Sequence, residues 1–188
     1  MNVTLRTPRM TREQFLDWVE RQETPFEFDG FEPVAMTGGT RNHARLCSNI
    51  LYALRKRLER STFEVLPEAG VATAGNAVRY PDVLITNTEG PASDRVMPGA
   101  LVVFEVVSAT SARIDRHLKL REYRAIPSIR RYVIIDNLGP DLAVYSRAEA
   151  GQDWTADAFT TGDMLAIAEA GIEIPVDELF RGVEFDPG

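Results

Sequence analysis

Two carboxylates set inside apolar, β-branched runs constrain this chain more than any other feature. Asp82 stands in Tyr80-Pro81-Asp82-Val83-Leu84-Ile85, and Glu105 in Leu101-Val102-Val103-Phe104-Glu105-Val106-Val107. Both runs read as buried strands. An ionised carboxylate buried alone is costly, so one in such a run has a partner or a metal. Two of them on consecutive strands point to a shared cation. Side chains alternate along a strand, which puts Val103, Glu105 and Val107 on one side. Asp82 stands where its own strand turns strongly apolar, and if the strands are neighbours both carboxylates reach one ion. Carboxylate oxygens select a hard cation, Mg²⁺ or Mn²⁺. No close His/Cys cluster argues for zinc.

A helix expected over residues 111–125 carries Lys119 and Tyr123. Acid, acid and lysine is a set that metal-dependent phosphodiester chemistry uses. The chain has 21 basic residues, and only Lys56 and Lys119 are lysine. A sequence that otherwise prefers arginine thus keeps at 119 the compact ammonium whose pKa responds to burial. Tyr123, one turn later, reads as core packing, and His43 as a surface or capping histidine.

Around this centre the periodicities alternate. Residues 11–20 read as a helix, with Thr11 and Gln14 as a capping box and Phe15, Trp18 and Val19 as its apolar face. Residues 26–36 read as a hairpin turning at Asp29-Gly30, with Pro33 marking an edge strand. Asn42 is the expected cap of a helix over 43–60, where Leu46, Ile50, Leu54 and Leu58 recur every four residues. Short strands follow, then one strand over 78–87 carrying Asp82, the Glu105 strand, the Lys119 helix, a strand over 131–136 and its hairpin partner over 141–146. Another strand is expected near Trp154, and a last helix begins at Pro175. The layering is α/β, a mixed sheet flanked by helices.

At 188 residues the chain is expected to be a single domain, residues 1–188. One cysteine, Cys47, excludes an intramolecular disulfide, fits a reducing cytoplasm and reads as a small core residue. The first ten residues lack the apolar stretch of a signal peptide, and no run is long enough to span a membrane. A net charge of −7 argues against nucleic-acid binding by bulk attraction. Thirteen of the 21 basic residues nevertheless lie in two stretches, 41–60 and 113–131. These are either solvated helix faces or a phosphate-tracking surface.

Phe26-Glu27-Phe28-Asp29-Gly30, His43, Pro81-Asp82, Phe104-Glu105-Val106-Val107-Ser108, Asp115-Arg116-His117-Leu118-Lys119, Tyr123 and Arg131-Tyr132-Val133-Ile134-Ile135-Asp136 together resemble the Uma-type restriction-endonuclease family, within the PD-(D/E)XK phosphodiesterase superfamily. The resemblance implies a restriction-endonuclease-like core and a Mg²⁺- or Mn²⁺-dependent DNA endonuclease working as a homodimer. It implies Asp82 and Glu105 as metal ligands, the Val106 carbonyl as a third, and Glu27 as a further acid. The superfamily lysine lies two residues after the acid, where this chain has Val107; Lys119 on the following helix stands in for it. Ser108-Ala109-Thr110-Ser111 departs mildly from the family's Ser-Pro-Ser-Thr. The displaced lysine and the acidic total motivate an alternative, a catalytically inactive nuclease-like domain kept for nucleic-acid or protein binding.

Overall fold

The described chain enters its fold at Thr11, which caps helix α1 (Arg12–Val19). The Thr11 hydroxyl accepts from the Gln14 amide at 3.2 Å, and the Gln14 side chain accepts from the Thr11 amide at 2.8 Å, as the capping box requires. The structure is a computed structural model describing residues 10–36, 38–87, 90–107 and 112–185, the side chains of 112–116 excepted. The Ser108-Ala109-Thr110-Ser111 motif and the side chains of Arg113, Asp115 and Arg116 therefore lie outside the described residues, as do residues 1–9. On α1 the buried pair is Phe15 and Leu16, while Trp18 and Val19 are half-buried. Phe15 stacks on Phe28 with ring centroids 5.0 Å apart.

Strands β1 (Phe26–Phe28) and β2 (Pro33–Ala35) pair antiparallel, with Phe28 opposite Pro33. The turn is wider than the two residues expected. Asp29 Oδ1 accepts from the amides of Phe31 at 2.8 Å and Glu32 at 2.7 Å, and this side-chain loop spreads the crossing over residues 29–32. β2 is an edge strand, as Pro33 foretold.

Helix α2 (Arg41–Leu58) begins earlier than a cap at Asn42 would dictate. Thr40 is the cap: its hydroxyl accepts from the His43 amide at 3.2 Å, while Asn42 Nδ2 donates to the Glu184 carbonyl at 2.6 Å. Leu46, Ile50, Leu54 and Leu58 are all buried, joined by Ala53. Leu54→Ala is expected to cost about 2–5 kcal/mol of stability in urea unfolding, because the side chain is fully buried and its removal leaves a cavity. A loss under about 1 kcal/mol would mean that the site collapses readily and that the stripe matters less than its burial implies.

Next come β3 (Phe63–Pro67), β4 (Val71–Ala72), β5 (Val78–Arg79), β6 (Val83–Asn87), β7 (Ala100–Val107), α3 (Ala112–Arg124), β8 (Arg131–Asp136), β9 (Leu142–Ser146), β10 (Thr155–Phe159), β11 (Met164–Ile167), β12 (Ile172–Pro175) and α4 (Val176–Leu179). The six-stranded sheet runs β10-β9-β8-β7-β6-β3, and a four-stranded sheet runs β2-β1-β5-β4. β7 and β8 are parallel and joined by α3, while the other pairs of the large sheet are antiparallel, so that sheet is mixed. One face packs Val83, Phe104 and Val106 against Leu46 and Ile50 of α2; the other packs Val103, Tyr132 and Ile134 against Tyr123 of α3. β11 was not foreseen, because four residues carry too short a pattern to separate from the β12 region.

One expectation fails in a way that matters. Residues 78–87 do not form one strand. β5 belongs to the small sheet and β6 to the large one, and the chain breaks between them at Tyr80-Pro81-Asp82. Pro81 has no amide to give to either ladder. Asp82 therefore stands just outside a strand, at the joint between the two sheets. Among the described residues no helix is long and apolar enough to cross a membrane.

Candidate active site

The joint places Asp82 beside the edge of β7 that β6 no longer covers. The β6–β7 register reaches Val83 opposite Phe104 and then stops. Asp82 Oδ2 accepts from the Val106 amide at 2.7 Å, supplying the partner that β6 no longer provides. Val106 thus meets Asp82 through its amide, in the residue next to Glu105.

Glu105 lies on the β7 face covered by α3, as strand alternation predicts. It is buried, and its Oε1 accepts from Lys119 Nζ at 3.1 Å and from the Tyr123 hydroxyl at 2.9 Å. Lys119 and Tyr123 are four apart on α3, one above the other on one helix face. Lys119 Nζ is also 3.1 Å from Glu27 Oε1. Glu27 arrives from β1, pointing away from the Phe28 side, and accepts from the Tyr80 amide at 3.3 Å. Arg79 on β5 donates to Glu27 at 3.2 Å and clamps Glu122 through two bonds of 2.7 and 3.0 Å. The site is therefore an alternating chain of charges, Glu122–Arg79–Glu27–Lys119–Glu105, buried except at the half-buried Glu122, with Asp82 beside its other end.

Burial pushes the Glu105 carboxyl up to about 7; the Lys119 charge draws it down, and the Asp82 and Glu27 charges push it further up. The Tyr123 hydroxyl is pushed well up by burial, then by Glu105, so it stays a neutral donor. His43 Nε2, from the first turn of α2, is 3.1 Å from Asp82 Oδ1, and that bond raises the imidazolium above its ordinary value despite partial burial. Gly39 leaves the ring its room: a Cβ there would stand 2.5 Å from His43 Nδ1.

The model of the Uma2 family, described as "Putative restriction endonuclease", matches residues 12–177. This chain belongs to the Uma2 family. Two relatives from Synechocystis sp., both named as uncharacterized proteins, are 25% identical over 181 residues (95% of each chain) and 26% identical over 142 residues (72% of this chain, 80% of the other). A crystal structure from Anabaena variabilis, described as a putative nuclease, superposes with a TM-score of 0.73 at 11% identity, over 93% of this chain and 99% of the other. Family and fold are nuclease-like, and the mixed, helix-flanked sheet expected from the sequence is the fold this Uma2 protein has.

Of the residues singled out from the Uma2 sequence, Glu27, Glu105 and Lys119 meet directly, and Asp82 and Val106 meet beside them. Four participants were missed or misread. Tyr123 is buried core and also a donor to Glu105. His43 is a partner of Asp82 rather than a surface or capping group. Arg79 and Glu122 carry no local signal, because their pairing joins β5 to α3 across 43 residues. The expectation of no His/Cys cluster also fails: His43, Cys47 and Asp82 each offer a donor atom, all within 4.8 Å of one another. The His43-x-x-x-Cys47 spacing, one helix turn, was the available signal.

Five arginines of the two basic stretches are internal fasteners. Arg55 donates to the Val65 carbonyl, Arg57 pairs with Glu178, Arg131 with Glu169, and Arg45 and Arg130 reach the Gly182 and Ala148 carbonyls.

Proposed function

We propose that this Uma2 protein is a metal-dependent endonuclease that hydrolyses phosphodiester bonds in DNA, with Asp82, Glu105, Lys119 and Glu27 as its catalytic residues. One observation carries the reading: a buried lysine held 3.1 Å from each of two carboxylates that strands of different sheets bring together, next to a third. The donor set fits a hard divalent ion. Glu27, Asp82, Glu105 and Glu122 outnumber Lys119, Arg79 and His43, an excess of negative charge that a divalent ion would offset. Asp82, Glu105 and the Val106 carbonyl would hold Mg²⁺ or Mn²⁺, which when bound polarises the scissile phosphate and acidifies a water.

The chain's own groups do the rest. The Val106 amide fixes Asp82, and the Tyr123 hydroxyl fixes Glu105. Lys119 orients the attacking water or meets the charge that develops on the phosphate. Arg79 holds Glu27 against Lys119, so the ammonium cannot swing away. The chain is one cytoplasmic nuclease domain in this reading, paired as a homodimer so that each strand of a duplex meets one site; a monomer by light scattering would remove the dimer.

The test is calorimetric titration with Mg²⁺ and Mn²⁺ beside cleavage of DNA and RNA. We expect a divalent-ion heat, cleavage that needs the ion, and DNA affinity that falls as salt rises. An intact fold with no divalent heat and no cleavage would favour the inactive, binding-only domain instead.

A further inference from the structure

We propose that His43, Cys47 and Asp82 form a second cation site, for a thiophilic divalent ion of the zinc and cobalt class, and that it draws on the same Asp82 as the hard-ion pair. The sharing rests on the function proposed above; the site itself does not.

His43 and Cys47 lie one turn apart on α2, and Asp82 is carried to them by the break between β5 and β6. The Cys47 sulfur is 3.6 Å from His43 Nδ1. A tetrahedral ion about 2.3 Å from sulfur and about 2.0 Å from nitrogen holds those two donors about 3.5 Å apart. The Asp82 carboxylate lies 3.1 Å from the other ring nitrogen. One donor atom from each residue falls within 4.8 Å of the others. All three are half-buried, so solvent can deliver an ion and keep one ligand position for water. Three protein ligands with one open position is how accessible zinc sites are built.

The donor types choose the ion. Sulfur and imidazole suit zinc or cobalt, whereas Mg²⁺ wants oxygen alone. Binding breaks the Cys47 S–H bond, forms a metal–sulfur bond and releases the proton to solvent. The Asp82 oxygens already serve Val106 and His43. An ion that recruits Asp82 toward Cys47 takes a ligand from the pair with Glu105, so a thiophilic ion antagonises the hard one.

Cobalt titrated into the metal-free full chain tests the site by absorption. We expect a thiolate-to-cobalt charge-transfer band saturating at one equivalent. It should vanish in Cys47→Ser and Cys47→Ala, checked as folded by circular dichroism, weaken about tenfold or more in affinity in His43→Ala, and persist in Glu105→Gln. No band, or a band that survives loss of the sulfur, overturns the site. The second arm preloads zinc before Mg²⁺ calorimetry. Zinc should abolish the Mg²⁺ heat in the native chain and spare it in Cys47→Ala. A Mg²⁺ heat unchanged by zinc overturns the sharing. Absence of that heat without zinc counts against the hard-ion pair and the sharing together, while the cobalt band still decides the site.

Discussion

Lys119→Met and Lys119→Arg should both lower single-turnover DNA cleavage about a hundredfold or more while Mg²⁺ still binds. Lys119 Nζ sits 3.1 Å from both Glu27 and Glu105, so its position is set from two sides. Methionine keeps the length of the side chain and deletes the charge. Arginine keeps the charge and replaces a compact ammonium with a larger planar fork. If charge alone mattered, arginine would restore most of the rate. If the ammonium positions water or phosphate, the fork displaces the reacting groups, and displacements near 1 Å can cost about a hundredfold. Methionine also leaves the buried Glu105 without its cation, a change that can cost about 3–5 kcal/mol, so rates are compared on variants shown to be folded. Calorimetry beside the rate assay separates chemistry from metal binding. Full activity in Lys119→Met would remove Lys119 from the mechanism.

Glu105→Gln should act in the opposite order: metal binding and cleavage fall together, and the metal-free fold becomes more stable above neutrality. The folded protein holds the Glu105 proton up to about pH 7, against an ordinary value of 4.5. A carboxyl raised in this way contributes stability that is fully present below pH 4.5 and lost as pH rises through about 7. At pH 8 the ionised Glu105 is therefore a liability that the metal-free protein carries. At about 1.4 kcal/mol per unit, the shift corresponds to an effect on the order of 3 kcal/mol. Glutamine removes that charge but weakens the attraction for Lys119, so a net gain of about 1–2 kcal/mol at pH 8 is expected, shrinking toward pH 5. Thermal unfolding in chelator at the two pH values measures it. A variant less stable than the native chain at both would mean that the Lys119 pair outweighs the burial cost of Glu105.

The contrast between the two variants reflects two kinds of buried charge. Lys119 is a cation shared by two acids, and removing it exposes their mutual repulsion. Glu105 is a buried acid whose ionisation burial opposes and the Lys119 charge favours. An ion bound by the folded chain alone would add stability by mass action. The same logic reaches His43, whose bond to Asp82 keeps that carboxylate partnered when no metal does.

Local pattern in the sequence was enough for the parts whose cause is local. The four-residue leucine and isoleucine spacing specified α2 and its buried face, the Thr11 capping box specified the start of α1, and the apolar runs specified β6, β7 and β8. Asp82 and Glu105 were legible because a charge inside an apolar run is costly unless something pairs with it, Lys119 because the chain has only two lysines, and Glu27 only through the family resemblance. Expectations failed at turns and caps as well. Asp29 capped a wider loop than Asp29-Gly30 promised, and Thr40 displaced Asn42 as a cap, because competing side-chain bonds of similar strength are decided by what the rest of the chain leaves within reach.

Only the tertiary structure decided which residues meet. Nothing near Arg79 in sequence names Glu122, and nothing near Asp82 names His43 and Cys47. Those meetings follow from Pro81 ending one strand and sending Asp82 to the joint between two sheets, and from α3 crossing from β7 to β8. A one-turn spacing or a strand alternation is carried by backbone geometry over a few residues. A contact between residues far apart in sequence depends on how the sheets and helices pack.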